Sequence, residues 1–234
     1  MVTKAKILHI ETATTVCSVA LAEGGELRVL KSVNDGFKHA ENLMRLIREA
    51  MEEMQWQYSE LSAIAVSAGP GSYTGLRIGV SAAKGLCYAT SIPLIAVSTL
   101  YTLAAGFRRL FPEADTHICP MIDARRMEVY TAVFNRDLHC IRPDHPLVLE
   151  SSASVPELAD HAITFLGDGA EKSKVVLAEH PNAYFADDIQ LSAQDMIGAA
   201  YEAYQLGSFA DIAYFEPEYL KPYQGTMPVP KKLF

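Results

Sequence analysis

Cysteine is scarce and scattered: Cys17, Cys87, Cys119 and Cys140 stand alone, with no Cys-x-x-Cys pair. That spacing speaks against a disulfide framework or a zinc ribbon and for reduced thiols in a reducing compartment. Histidine is equally unhelpful for metal chemistry. The seven, at 9, 39, 117, 139, 145, 161 and 180, include no His-x-x-x-His pair that would set two imidazoles on one helix face. Positive charge is in deficit, with 20 Lys and Arg against 28 Asp and Glu and a net charge of -8. A chain of this sign lacks the electrostatic footprint of a protein that grips nucleic acid by itself. Long apolar runs are missing too. Near the N-terminus only Ile7 to Ile10 run together before Glu11 interrupts, which predicts neither a secretory signal nor a membrane span and fits a cytoplasmic protein. No Gly-x-Ser-x-Gly elbow is present, and nothing pairs Ser72 or Thr74 with a histidine base.

What is present is organised around Ala68-Gly-Pro-Gly-Ser-Tyr-Thr-Gly-Leu-Arg-Ile-Gly79. A buried strand over 61–67 precedes this stretch and a helix over 75–89 follows it, with Ser72 or Thr74 as N-cap. Strand, glycine turn and helix N-terminus together make an anion site, yet neither common form fits. A P-loop lacks its second glycine and its lysine, and a dinucleotide fingerprint has Thr74 in place of its third glycine. A phosphate cradle and a tight turn that needs small residues for close packing remain equal readings.

Around it the chain reads as an α/β protein. Strands over 7–11, 16–22 and 26–32 form a meander turning at Gly24-Gly25; a helix over 39–54, the strand and helix of the glycine stretch, a strand over 92–97 and a helix over 99–110 capped by Ser98 follow. From 112 the plan restarts. A shift of 112 residues lays Asp123 on Glu11 and the strand over 129–134 on the second strand; a second echo lays Gly167-Asp168-Gly169 on Gly69-Pro70-Gly71. Two lobes of one design, with mixed sheets flanked by helices and a cleft between them, are therefore expected, with bounds 1–111 and 112–211. The second is cut short, with helices near 155–161, after 170 and over 192–206. Residues 212–234, rich in proline and tyrosine, read as an extended tail that lies on its own protein or docks a partner.

In such a cleft, hairpin turns contact phosphates through backbone N–H groups and need small residues. Thr12 to Thr15 qualifies; Arg125-Arg126 does not, so the second turn either meets anions through guanidinium groups or is filled by them. Glu11 and Asp123 are candidate paired carboxylates, though strand-end acids that order their turns is the favoured reading. Two helices carry more apolar or small surface than one sheet face requires: 39–54, and 75–89 with Gly75, Gly79, Ala82, Ala83 and Gly85. Either they are sandwiched inside the fold or they form an interface with another subunit.

Ile10-Glu-Thr-Ala-Thr, Gly69 to Gly79, Ile122-Asp-Ala-Arg-Arg-Met-Glu-Val-Tyr130 and Leu166-Gly-Asp-Gly-Ala170 together resemble the bacterial TsaB (YeaZ) family. The resemblance implies an actin-like, ribonuclease H-like duplicated fold and a role in making N6-threonylcarbamoyladenosine beside the tRNA anticodon. It implies a subunit without catalysis of its own that binds the catalytic paralogue TsaD, supports docking of the ATPase TsaE and self-associates when alone. ATP, magnesium and metal are then expected on the partners, and tRNA is met only indirectly. A small ATPase or a peptidase is the alternative. The interface role is carried over to His39, Leu43, Ile47, Gly75, Arg77, Gly79, Val80 and Lys84. A weak or vestigial nucleotide cleft is assigned to Glu11, Thr12, Gly69, Gly71, Asp123, Arg125, Gly167, Asp168 and Gly169. Glu11 stands where the family usually has aspartate, which weakens any claim of hydrolysis there.

Overall fold

The computed structural model describes residues 4–36 and 38–221. Strands β1 (Lys6–Glu11), β2 (Cys17–Glu23) and β3 (Glu26–Val33) form the antiparallel meander. Gly24 and Gly25, at φ +63° and +82°, make the β2–β3 turn, a pair of left-handed residues that suits the twist of a two-residue hairpin. Helix α1 (His39–Met54), β4 (Ala63–Gly69), α2 (Tyr73–Thr90) and β5 (Leu94–Ser98) then extend the sheet in parallel, in the order β3-β2-β1-β4-β5.

After α3 (Thr99–Leu110) come β6 (His117–Asp123), β7 (Glu128–Phe134), β8 (Cys140–Val148), β9 (Ile163–Leu166), α4 (Ala170–Leu177) and β10 (Ala183–Ala186). Their sheet runs β10-β9-β6-β7-β8, with β6, β7 and β8 antiparallel and β9 and β10 added in parallel. The two sheets thus share one topology, strand for strand. Asp123 ends β6 as Glu11 ends β1, and Gly167 follows β9 where Gly69 closes β4.

Both faces of the first sheet are covered, so its strands are apolar on alternate residues to each side. Leu8, Ile10, Val19, Leu21, Ile64 and Val66 pack beneath α1 and α2. Ile7, Ala63, Ala65, Ile95 and Val97 turn the other way onto Met196 and Ala200. Those two belong to a 3₁₀ turn (Ala193–Met196) and to α5 (Ile197–Leu206). The small alanine-rich face of the first sheet is thus closed by a helix from within the 112–211 segment. Conversely α3 lays Leu100, Leu103, Ala104 and Phe107 against Ile118, Ile122, Ala132 and Leu166 of the second lobe. Each lobe borrows a covering helix from across the expected boundary.

The helix expected over 155–161 is replaced by two 3₁₀ turns, Ser152–Ser154 and Pro156–Ala159. Only Val155 and Leu158 are buried apolar residues in that stretch, too few to anchor a helix on a sheet. The arm over 212–221 lies on its own protein. Glu218 N–H donates to Ala68 O at 2.7 Å, Lys84 Nζ to Phe215 O at 2.9 Å, and Tyr219 packs on Tyr73 with ring centroids 4.9 Å apart. The rest of the expected tail, 222–234, lies outside the described residues.

Candidate functional site

The β1–β2 turn is held by groups that a nucleotide would need. Glu11 is fully buried, and its Oε1 accepts from Ala13 N–H at 2.7 Å and from Ser67 Oγ at 2.8 Å. Burial outweighs these bonds and pushes the carboxyl up to about 7. Thr12, also fully buried, donates through Oγ1 to Gly75 O at 2.8 Å. Ser72 N–H donates to Ala13 O at 2.7 Å, while Ser72 Oγ, the N-cap of α2, accepts from Gly75 N–H at 3.2 Å. A Cβ on Gly75 would stand 2.1 Å from Thr12 O, one on Gly79 2.3 Å from Thr12 Oγ1, and one on Gly71 2.6 Å from Ala13 O. The glycine pattern therefore presses α2 onto the neighbouring hairpin, and of the turn's amides Ser72 N–H faces that hairpin's Ala13 carbonyl while Gly75 N–H is taken by the Ser72 hydroxyl. Gly69, at φ +117°, answers to the arm, since a Cβ there would lie 2.7 Å from Glu218 O.

The second turn is filled by a side chain. Asp123 Oδ1 accepts from Arg125 N–H at 2.7 Å and from Lys172 Nζ at 2.5 Å. Lys172 Nζ also donates to Arg126 O at 2.9 Å and to Glu128 O, so its ammonium occupies a cradle of three oxygens. Burial works to raise the Asp123 carboxyl, but Lys172 and the Arg125 N–H together hold it below its ordinary range. Asp168 receives Asp123 N–H at 2.9 Å and is raised by burial. Gly167, at φ +96°, and Gly169 bring the β9–α4 turn against Met121 O and Ile122 C, at 2.4 and 3.0 Å from a built Cβ. Arg125 and Arg126 take left-handed backbone at φ +69° and +50° and stand exposed, so the guanidinium groups point away from the turn's interior. Replacing Lys172 with methionine removes a charged donor from three acceptors and is expected to cost about 1–3 kcal/mol in urea unfolding.

Between the turns, Thr14 and Thr15 face Gly167 and Asp168 across a cavity of about 110 Å³. Small-molecule sites run to roughly 300–1,000 Å³. Among the described residues no cluster of three or more His, Cys, Asp or Glu is arranged to hold a metal ion.

The residues expected at a partner interface are placed differently. His39, Leu43 and Ile47 of α1 and Gly75, Gly79 and Val80 of α2 are all buried within the chain. His39 Nε2 lies 2.7 Å from Thr14 O, and Leu43, Ile47 and Val80 belong to the core under the first sheet. Arg77 is exposed but carries its guanidinium 4.3 Å above the Tyr73 ring and donates to Tyr219 Oη at 3.2 Å, while Lys84 holds the arm. The apolar stripe of α1 is wide because β2, β3 and α2 all pack on it. Within the single chain these six residues are taken up by its own packing. Of the small residues named for α2 Gly85 faces outward, together with Ser81, with Tyr88, which the sequence reading did not single out, and with Met44 of α1, Met44 being 49% and Tyr88 84% exposed. A Cβ on Gly85 would meet nothing within 4 Å, so its own fold gives no reason for glycine at that position. That misfit between a helix interior and an unneeded glycine was the available signal.

The chain is 30% identical over 233 residues to the tRNA threonylcarbamoyladenosine biosynthesis protein TsaB of Escherichia coli K12, covering 92% of this chain and 94% of that one. The chain belongs to the TsaB family. TsaB of Bacillus subtilis is 34% identical over 74% of this chain and 75% of its own. The family model described as TsaD, tRNA N6-adenosine threonylcarbamoyltransferase, matches residues 36–145, a stretch that begins just before α1 and runs into β8. Among solved structures, YeaZ from Pseudomonas aeruginosa superposes with a TM-score of 0.80 at 27% identity, over 92% of this chain and all of that one. Component A of (R)-2-hydroxyglutaryl-CoA dehydratase from Acidaminococcus fermentans, at TM-score 0.50 and 11% identity over 87% of this chain and 99% of its own, shares the fold alone. The architecture of this TsaB-family chain is the two-lobed actin-like one.

Proposed function

We propose that this chain is the non-catalytic subunit of the assembly that transfers a threonylcarbamoyl group to N6 of the adenosine beside the tRNA anticodon. It binds the catalytic paralogue TsaD, supports docking of TsaE in the cytoplasm, and meets tRNA only through its partners. The near full-length similarity to proteins named for this modification supports the pathway. The observation that supports a subunit over an enzyme is the state of the cleft. Thr12 and Ala13 are spent on α2, Lys172 fills the second turn, and about 110 Å³ is left between them. ATP, magnesium and metal then belong to the partner subunits.

The docking face is the outward stripe of α1 and α2 around Met44, Ser81, Gly85 and Tyr88. A glycine without intramolecular purpose admits another helix backbone closely, Tyr88 stands exposed one turn along the same helix, and Met44 is exposed on α1. In the absence of TsaD the same stripe pairs with a second copy, since a paralogue's related surface replaces one half of a two-fold contact. Met44→Ala with Tyr88→Ala is expected to weaken binding to the cognate TsaD by about 2 kcal/mol or more, roughly thirtyfold, in calorimetric titration. Thermal unfolding of the variant alone, at concentrations too low for self-association, should stay where the wild type's is, because both side chains are solvent-facing in the single chain. Unchanged affinity would move the interface elsewhere.

A further inference from the structure

A second cavity, of about 530 Å³, shares no lining residue with the interlobe cleft and lies outside the reading just given. It forms where the edge strand of each sheet comes to the other lobe, β5 on one side and β8 on the other, with the arm closing a third side through Glu218 and Leu220. Its walls are apolar and its corner is aromatic. Tyr101 and Phe134 meet edge to face there, with centroids 5.9 Å apart at 83°.

Two acidic residues line this apolar space, Asp144 from β8 and Glu218 from the arm. Asp144 Oδ2 accepts from Ser98 Oγ at 2.7 Å, which fixes its orientation, and Glu218 stands on the arm. Burial raises both above the ordinary carboxylate range, and the Asp144 charge raises Glu218 further. The Ser98 hydroxyl, a backbone N–H and, more weakly, His145 favour the ionised form of Asp144, but burial outweighs them. Among the described residues no lysine or arginine lines the cavity. Asp144, half-buried, and the exposed Glu218 at the rim have no lysine or arginine beside them in the lining, and a cation that can also shed water along the apolar wall stabilises both.

We propose that this cavity binds a small organic cation, an ammonium or guanidinium group on an apolar stem, with the charge between Asp144 and Glu218 and the stem against Tyr101 and Phe134. The volume lies within the range of small-molecule sites, and the aromatic corner adds attraction for a cation that passes over a ring face. A bare metal ion is a poor match, because it would leave the apolar walls unused.

The cavity carries its own reporter. Cys140 lines it and is exposed, whereas Cys17, Cys87 and Cys119 are buried, so alkylation by iodoacetamide followed by mass spectrometry reads occupancy at this place. The full chain is titrated with hexylamine and phenethylamine and with the neutral 1-hexanol and 2-phenylethanol. The amines are expected to protect Cys140 saturably at concentrations about tenfold or more below those the alcohols require, and the preference should vanish in Asp144→Asn with Glu218→Gln. Should the double variant misfold, Glu218→Gln alone serves, since that residue is exposed and its only described hydrogen bond is through the backbone. Equal protection by amine and alcohol, no saturable protection by the amines, or a preference that survives the carboxylate variants would overturn the proposal.

Discussion

Replacing Gly75 with alanine is expected to lower the stability of the chain by about 2–3 kcal/mol, even though alanine is the better helix former by roughly 1 kcal/mol. The added Cβ would sit 2.1 Å from Thr12 O, a backbone atom whose residue is itself tied to Gly75 O through Oγ1. Neither side can give way cheaply. Moving α2 outward breaks the Ser72 N–H to Ala13 O bond, and moving the hairpin disturbs the Glu11 to Ala13 contact beneath it. For a chain of this length the loss corresponds to a fall of about 4–12 °C in the unfolding temperature. Ten residues along the same helix the sign reverses. Gly85→Ala meets nothing within 4 Å in the single chain and is expected to stabilise the monomer, at concentrations too low for self-association, by about 0.5–1 kcal/mol. The pair, measured by urea unfolding, separates a glycine required by the fold from one that the fold does not require. Equal effects at both positions would remove the argument that α2 is pressed onto the β1–β2 turn.

Glu11→Gln is expected to change the pH dependence of stability by about 3 kcal/mol between pH 4.5 and 7. The folded carboxyl titrates at about 7, raised by burial from 4.5. Between those values the folded state holds a proton that the unfolded state has released, so this group's contribution to stability falls as pH rises through the window. It is fully favourable below pH 4.5 and fully lost above 7. His9 acts in the opposite sense: burial lowers it from 6.5 to about 4, so the unfolded chain takes up a proton first and stability drops as pH falls through that interval. Over the shared range the two slopes offset, and the wild type should look nearly flat in what these two groups contribute. Removing Glu11 exposes the histidine slope, giving a variant whose stability declines on acidification from pH 6.5. A variant whose profile parallels the wild type's would show that Glu11 titrates as an ordinary carboxylate and is free to serve a cation.

Much of this architecture was legible from residues because period-two burial and glycine punctuation are local signals. The meander, the duplicated plan through Glu11 and Asp123, and the helix beginning at Ser98 all follow from nearest neighbours in the chain. What was not legible depends on distant partners. A glycine-rich strand-to-helix turn reads alike whether its amides face a phosphate or Ala13 O, and only the tertiary approach of the first hairpin tells them apart. The same holds for α1 and α2, whose excess apolar surface is used by the sheet and by each other. Strand β8 hides behind Pro143 and Pro146, which are tolerated because it is an edge. The exchange of α3 and α5 between lobes is a property of how the sheets are covered, and no sequence window contains it.

The proposed role is that of a subunit that assists catalysis without performing it. The most direct test measures threonylcarbamoyl transfer to tRNA by the cognate TsaD and TsaE, supplied with threonylcarbamoyl-adenylate, with and without this chain, alongside ATP hydrolysis by the chain alone. Transfer is expected to require the chain, the chain alone to neither transfer the group nor turn over ATP, and Met44→Ala with Tyr88→Ala to reduce the stimulation. Transfer that proceeds equally well without the chain, or turnover of ATP by the purified chain that is lost in Thr12→Ala, would contradict it.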